Sequence, residues 1–312
     1  MRGITLRQLR IFATVARQLS FTRAARELHL TQSAVSQQVK LLEQEAGLPL
    51  FEQIGRRVQL APAGTELLRY ASQTLELVRE AGESLAAMRG LKRGVLKLGA
   101  VSTAKYFAPS LLCAFTPGYP EVTVKFTVGN RWEIVQQLAA NEVDLVIMGR
   151  PPRELKTVAE PFAKHPLVII ASPGHPLAAR RHLRLQQLAG EPFIIREEGS
   201  GTRASTERVF RERRVPLRVS MEMSSNETIK QAVMAGMGLS FISSHTIALE
   251  VQAGRLAVLD VVGLPLVRDW YVIHLRDKRL APIAAAFRAF LLERGAATIA
   301  RALGELPLGR RA

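Results

Sequence analysis

The feature that most narrows the fold is a run of three short helical stripes before residue 46, where apolar side chains recur at three- and four-residue steps. Leu6, Leu9, Phe12, Ala13 and Ala16 form the first stripe. Ser20, Phe21 and Thr22 then offer cap hydroxyls ahead of Ala24, Ala25 and Leu28, the face of a short second helix that also carries Arg23. His29-Leu30-Thr31 leaves space only for a tight turn, with Thr31 as N-cap of a third helix reaching about Glu45. On that helix Val35, Val39 and Leu42 share one side, while Ser33, Ser36, Gln37 and Lys40 lie within about 100° of one another on the other.

The second face is polar and nearly uncharged at its start, where Gln32 joins it. Amides and hydroxyls that both donate and accept suit base edges in a major groove, and Lys40 suits a phosphate. Two helices across a three-residue turn match a helix-turn-helix, whose second helix enters the groove. An ordinary solvated face is the bland alternative. Phe51 to Leu60 reads as two short strands around Gly55, with Arg56 and Arg57 at the tip, a cationic wing for the backbone or minor groove. Pro62 suits the first turn of the next helix.

The segment LRQLRIFATVARQLSFTRAARELHLTQSAVSQQVKLLEQEAGLPLFEQIGRRVQLAPAG resembles the winged helix-turn-helix of LysR-type transcriptional regulators. It departs from the family pattern at Ser33, where many members have proline, and at Ala61, where many have threonine. The resemblance implies double-stranded promoter DNA as a partner, read by Arg23, Thr31, Gln32, Ser33, Ser36, Gln37, Lys40, Arg56 and Arg57. It also implies RNA polymerase as a partner of an activator.

Beyond it, residues 63 to 89 contain no proline and two glycines, Gly64 and Gly82. Leu67, Ala71, Thr74, Val78, Ala81, Leu85 and Met88 follow alternating four- and three-residue steps, a narrow a/d seam that predicts self-association. A helix packed on its own domain would need a broader stripe. In the resembled family this helix pairs antiparallel between subunits, and dimers usually join into tetramers.

From Gly94 strand and helix signals alternate: 95–101, 122–128 and 143–148 read as strands of a first lobe, and 167–171, 193–195, 239–242 and 256–259 as strands of a second. The strand near 270–274 and the helix 281–293 return to the first lobe. This order predicts an α/β fold with a mostly parallel sheet, and two such lobes form a periplasmic-binding-protein-like sensor with a cleft between them. The predicted organisation is α plus α/β: a winged helix-turn-helix over 1–61, a linker helix over 62–90, an effector domain over 91–295 and a tail over 296–312. Within the effector domain, lobe I takes about 91–164 and 267–295, and lobe II about 165–266.

Ligands of open α/β sheets sit at strand carboxyl ends beside helix N-termini. Those ends carry Ser102, Thr103 and Ala104; Gly129, Asn130 and Arg131; Arg150; Gly201, Thr202 and Arg203; and Asn226 with Glu227. Glycines, hydroxyls and three arginines suit a phosphate or a carboxylate. STAKYFAPSLL, GNRWEIVQQL, DLVIMGRPP and AGMGLSFISSHTIALEVQAGRL resemble the LysR branch that controls Calvin-cycle (RuBisCO) operons. That resemblance implies activation of carbon-fixation genes by a phosphorylated coinducer. A LysR regulator of another operon with a carboxylate coinducer, and a solute-binding transport protein, are the alternatives.

Composition supports a folded intracellular chain. At 312 residues and 47% hydrophobic content it holds two or three domains and is not disordered. Cys113 alone excludes an internal disulfide, and its apolar helix marks it as buried filler. No stretch is apolar enough to span a membrane, and no signal-peptide core is present, so the expected location is the cytoplasm. Residues 1–90 carry 12 Lys+Arg against 8 Asp+Glu, and residues 91–312 carry 31 against 19, so the basic excess is spread out. It favours polyanionic partners without naming the contact surface. No G-x-S-x-G, G-x-x-x-x-G-K or H-E-x-x-H is present, and the six histidines show no ligand-like spacing. The reading is therefore a regulator with no catalytic residues, no metal and no cofactor beyond a small-molecule coinducer.

Lys40→Ala is expected to weaken binding to every duplex sequence alike and to flatten the slope of log affinity against log salt by about 1. Fluorescence anisotropy over a salt series measures it, and an unchanged slope removes Lys40 from the phosphate contacts.

Overall fold

The computed structural model describes residues 3–54, 57–88 and 94–304, without the side chains of Ile54, Arg57 and 83–88. It divides into two compact units, Met1–Met88 with Ala140–Glu142, and Arg89–Ala139 with Val143–Ala312.

The first unit contains α1 (Leu6–Gln18), α2 (Phe21–Glu27), α3 (Gln32–Ala46), β1 (Phe51–Ile54), β2 (Arg57–Leu60) and α4 (Pro62–Met88). Local chemistry sets its boundaries. Thr5 and Gln8 form a reciprocal capping box on α1, and Ser20 caps α2. His29 turns the chain at φ 54°. The Thr31 hydroxyl accepts from the Ala34 N–H, and Gly47 ends α3 at φ 70°. Val35, Val39 and Leu42 are buried as the periodicity predicts. On α1 the buried stripe is rotated from the predicted one: Ile11, Phe12, Val15 and Ala16 are inside, whereas Leu6 is 45% exposed. The 3.6-residue repeat allowed either stripe, and packing against α2 and α3 chose the larger side chains.

Phe12, Leu42, Leu50 and Ala71 close a core against which Leu67 also packs. The first two positions of the predicted self-association seam, Leu67 and Ala71, are thus turned into their own unit. α4 lies along α1 there, so Ala71 is buried and Leu67 half-buried. Thr74 is half-buried, while Val78 and Ala81 are exposed; the side chains of Leu85 and Met88 lie outside the described residues. Gly64, in the first turn of α4, allows this approach, because a Cβ there would sit 2.0 Å from the Leu50 carbonyl oxygen.

The second unit contains β3 (Gly94–Val101), α5 (Ala108–Phe115), β4 (Val122–Gly129), α6 (Arg131–Ala139), β5 (Leu145–Met148), β6 (Thr157–Ala171), β7 (Phe193–Arg196) and α7 (Gly201–Glu212). There follow β8 (Val219–Met223), α8 (Asn226–Met234), β9 (Ser240–Ser243), α9 (Ala248–Gln252), β10 (Ala257–Val258), β11 (Leu266–Leu275), α10 (Pro282–Phe290) and α11 (Ala296–Leu303). β3 pairs parallel with β4 and β5, and β7 pairs parallel with β8. The sheet as a whole is mixed, not mostly parallel. β6 and β11 run antiparallel from Leu167↔Leu266 to Thr157↔Leu275, and β9 and β10 also pair antiparallel with β6. Pro161, Pro166, Glu160, Lys164 and His165 hide the first half of β6 from a search for apolar alternation.

These two long strands thread both lobes. Lobe I packs Leu96, Leu98, Phe107, Leu111, Phe115, Trp270 and Phe287 on one face of the sheet, and Ile134, Leu138, Val146 and Ile273 on the other. In lobe II, Leu167 and Ile169 face one layer while Val168 and Ile170 face the opposite one, the two-residue alternation of a strand covered on both sides. The predicted tail boundary at 296 falls inside structure. A π-helical turn over Leu291–Gly295 leads into α11, whose Ile299 joins the lobe I core. Arg310 and Arg311 lie outside the described residues. Cys113 is exposed rather than buried, because α5 turns Leu111 and Phe115 inward.

Gly64→Ala is expected to destabilise the first unit by about 1–3 kcal/mol through that backbone clash. Gly82, with nothing within 4 Å of a built Cβ, is the control, and Gly82→Ala is expected to be neutral or stabilising by up to about 1 kcal/mol. Urea midpoints of the two variants check both signs.

Candidate functional site

Two surfaces concentrate the chemistry. In the first unit, α3 presents Gln32, Ser33, Gln37 and Lys40 as exposed side chains with Ser36 half-exposed. Gln32 Nε2 lies 3.4 Å from Ser36 Oγ as donor, so the amide and hydroxyls form one edge. Thr31 is exposed, but its hydroxyl is engaged as the helix cap. Arg23 is exposed and donates to the Gln18 carbonyl. Phe51 fixes the β1–β2 hairpin, its ring centroid 5.5 Å from Phe12 and 5.6 Å from Phe21. Glu43 Oε1 adds bonds from the Leu50 and Phe51 N–H groups at 2.9 and 3.3 Å. The hairpin is thereby tied to α3. Arg57 pairs with Ile54 in its backbone, whereas its side chain and all of Arg56 lie outside the described residues.

In the second unit a narrow cavity opens between the lobes. Lobe I contributes strand ends: Ser102 and Thr103 after β3, Asn130 and Arg131 after β4, and Gly149 and Arg150 after β5. Lobe II contributes Arg196 at the end of β7 and Ser200, Gly201 and Thr202 at the start of α7. His165, Arg268 and Trp270 come from the long strands. The lining polar groups are donors in the main, which suits an anion.

Arg196 is the most constrained of them. It is 3% exposed, its Nε and Nη2 donate to the Glu197 carboxylate at 2.7 and 2.8 Å, and its Nη1 donates to Asn226 Oδ1 at 2.7 Å. Nη2 also reaches Ser102 Oγ at 3.1 Å, a bond from one lobe to the other. Arg131 Nη1 donates to Glu154 at 3.1 Å.

Five predicted ligand residues stand apart from the cavity. Arg203 is held by Glu207 and Glu222 and lines an outer groove instead; two carboxylates outcompete any inward orientation. Ala104 is fully buried in the lobe I core. Gly129 offers its carbonyl to the Ser102 N–H at 2.8 Å, and Glu133 fills the space beside its Cα. Asn226 is buried and occupied by Arg196. Glu227 accepts from the Tyr106 hydroxyl of lobe I and pairs with Lys230 at 3.1 Å.

Sequence reasoning missed Arg196, His165, Arg268 and Trp270. Arg196 ends β7 just ahead of the turn that holds Ser200, Gly201 and Thr202, and was within reach of the strand-end rule. The other three carry no local signal, since they meet only through the β6–β11 pairing. His165 stacks on Trp270 with centroids 3.9 Å apart, and burial, then the neighbouring Arg268 and His245, hold its ring neutral well below the usual histidine range. Burial pulls His245 down to about 4.

The comparisons with known proteins decide the family. Residues 6–65 match the bacterial regulatory helix-turn-helix protein, lysR family, and residues 89–296 match the LysR substrate binding domain. The chain belongs to the LysR family. The regulator CfxR of Cupriavidus necator is 49% identical over 311 residues, spanning 100% of this chain and 98% of its own. A RuBisCO operon transcriptional regulator of Allochromatium vinosum is 49% identical over 293 residues, 94% of this chain and 97% of its own. Among solved structures, the regulatory domain of Synechocystis CcmR in complex with 2-PG is 41% identical with a TM-score of 0.62, covering 64% of this chain and 96% of that one. The N-terminal match leaves the transport alternative for this LysR regulator without support. No described helix is long and apolar enough to cross a membrane.

The buried histidines give a sign for acid behaviour. His245 protonates near 6.5 when unfolded and at about 4 when folded, so the unfolded chain binds the proton first. Stability present above pH 6.5 is expected to be lost as the pH falls toward 4, by on the order of 3 kcal/mol from this residue. His165 acts with the same sign. Urea unfolding at stepped pH measures the slope, and His245→Phe is expected to flatten it; an unchanged slope removes His245 as its source.

Proposed function

We propose that this LysR-family chain activates transcription of RuBisCO-type carbon-fixation genes in response to a phosphorylated metabolite bound between the two lobes. The observation that carries the reading is the 49% identity to a RuBisCO operon regulator over 94% of the chain, joined to a cavity with four arginines and the start of α7 on its walls. It is supported by the CcmR regulatory domain with 2-PG, a relative at 41% identity.

In this reading Gln32, Ser33, Ser36 and Gln37 read base edges, and Lys40, Arg56 and Arg57 hold phosphates, with Arg23 and Thr31 beside them. Two reading helices per dimer engage a pseudo-palindromic promoter, and linkage raises affinity beyond one half-site. Val78, Ala81 and the following turns of α4 supply the self-association surface, and dimers pair into a homotetramer that contacts RNA polymerase. The chain works in the cytoplasm, as a regulator and not an enzyme. Ser102, Thr103, Asn130, Arg131, Arg150, Gly201 and Thr202 line the coinducer site with Arg196. The coinducer acts by binding one lobe arrangement better than another, because equal affinity for both shifts nothing. The Ser102–Arg196 bond, which spans the lobes, is the contact a ligand oxygen is best placed to replace.

The test is in vitro transcription and footprinting on a RuBisCO promoter fragment with and without 2-phosphoglycolate. The expected result is protection of paired half-sites, a changed footprint with ligand and higher transcript yield. Protection with no change for any phosphorylated metabolite sinks the coinducer assignment; no protection at low salt sinks the whole reading.

A further inference from the structure

The floor of the cavity carries donors that none of the described residues satisfies. Arg268 Nε, His165 Nε2 and Trp270 Nε1 are each sealed from solvent and without a hydrogen-bond partner. All three residues line the cavity. His165 is 2% exposed and Trp270 fully buried. A guanidinium and an indole N–H only donate. Arg268 Nη2 lies 3.5 Å from His165 Nδ1, and since the guanidinium cannot accept, the ring nitrogen does. The neutral imidazole then keeps its hydrogen on Nε2, a third donor. Buried polar groups are paired as a rule, and each exception calls for an absent partner. Here that partner has to be rich in acceptors.

The charges point the same way. Of the four arginines on the cavity wall, Arg131 has Glu154 and Arg196 has Glu197. Arg150 and Arg268 have no carboxylate partner among the described residues; Arg268 instead donates to the Ser205 hydroxyl. Two positive charges are therefore left for a ligand. Between them Gly149 presents bare backbone. A Cβ there would sit 2.6 Å from His165 Nδ1 and 3.2 Å from Arg268 Nη2, so only a glycine lets the backbone pack this closely against the pair.

We propose that the His165–Arg268–Trp270 floor, with Arg150 at its edge, is a seat for a dianionic oxyanion. Arg131 and Arg196, each already matched by its own glutamate, orient the remainder of the ligand. The inference rests on the proposed function only in taking this cavity as the coinducer site, and it adds the ligand's charge and the residues that read it. A phosphomonoester fits the seat, whereas a simple monocarboxylate leaves one arginine and at least one donor unmatched.

Calorimetric titration of the full-length chain with inorganic sulfate, 2-phosphoglycolate and glycolate tests it. The wild type is expected to bind sulfate, to bind 2-phosphoglycolate far more tightly than glycolate, and to show sulfate competing with 2-phosphoglycolate. Arg268→Gln is expected to lower affinity for both dianions by about 10- to 100-fold, as the loss of a charged hydrogen bond does, and to leave glycolate nearly unchanged. Trp270→Phe keeps the ring and removes one donor, so it is expected to weaken sulfate several-fold; it serves should Arg268→Gln fail to fold, which ligand-free duplex binding and a thermal melt reveal. A wild type that ignores sulfate, an Arg268→Gln chain that binds it normally, or equal losses for 2-phosphoglycolate and glycolate each overturn the seat. Sulfate bound through Arg268 with 2-phosphoglycolate ignored overturns the coinducer reading and leaves the seat standing.

Discussion

The antiparallel pairing of β6 with β11 is the constraint on which the sensing unit depends. Only a ladder running from Leu167↔Leu266 to Thr157↔Leu275 brings His165 and Arg268 together across 103 residues of sequence. The same ladder lays Trp270 against His165. Because the two strands belong to both lobes, the floor of the cleft is part of the connection between them. A ligand seated there touches the two strands that both lobes share.

The cleft shows how arginine function depends on partners, not on count. Arg196 is bound by a carboxylate, an amide and a hydroxyl, so its position is fixed before any ligand arrives. Such preorganisation removes the ordering cost of a long side chain at the moment of binding. Arg203 has the same chemistry and the wrong neighbours: Glu207 and Glu222 turn it outward. In the proposed seat, selectivity between anions comes from which guanidinium groups arrive already neutralised.

Much of the DNA-reading unit was legible in the sequence because helix periodicity, caps and turn spacing are local. Thr31 as cap, Val35, Val39 and Leu42 inside, and Gln37 and Lys40 outside all follow from a single helix. The rotated stripe of α1 shows the limit, since two apolar stripes were available and only tertiary packing separates them. Strand ends led to the cavity, whose wall holds Ser102, Asn130, Arg131 and Thr202. The rule failed at Ala104, Gly129 and Asn226, where a strand-end position faces the core or a neighbouring side chain. It was silent on His165 and Arg268, which lie in strand interiors and owe their meeting to register.

Gly64 has a consequence beyond packing. With α4 pressed onto the Leu50 carbonyl and Phe51 clamped between Phe12 and Phe21, hairpin, reading helix and the base of the long helix share one rigid joint. A roll of α4 at that joint has to carry the hairpin with it, as a spanner's jaw carries the bolt.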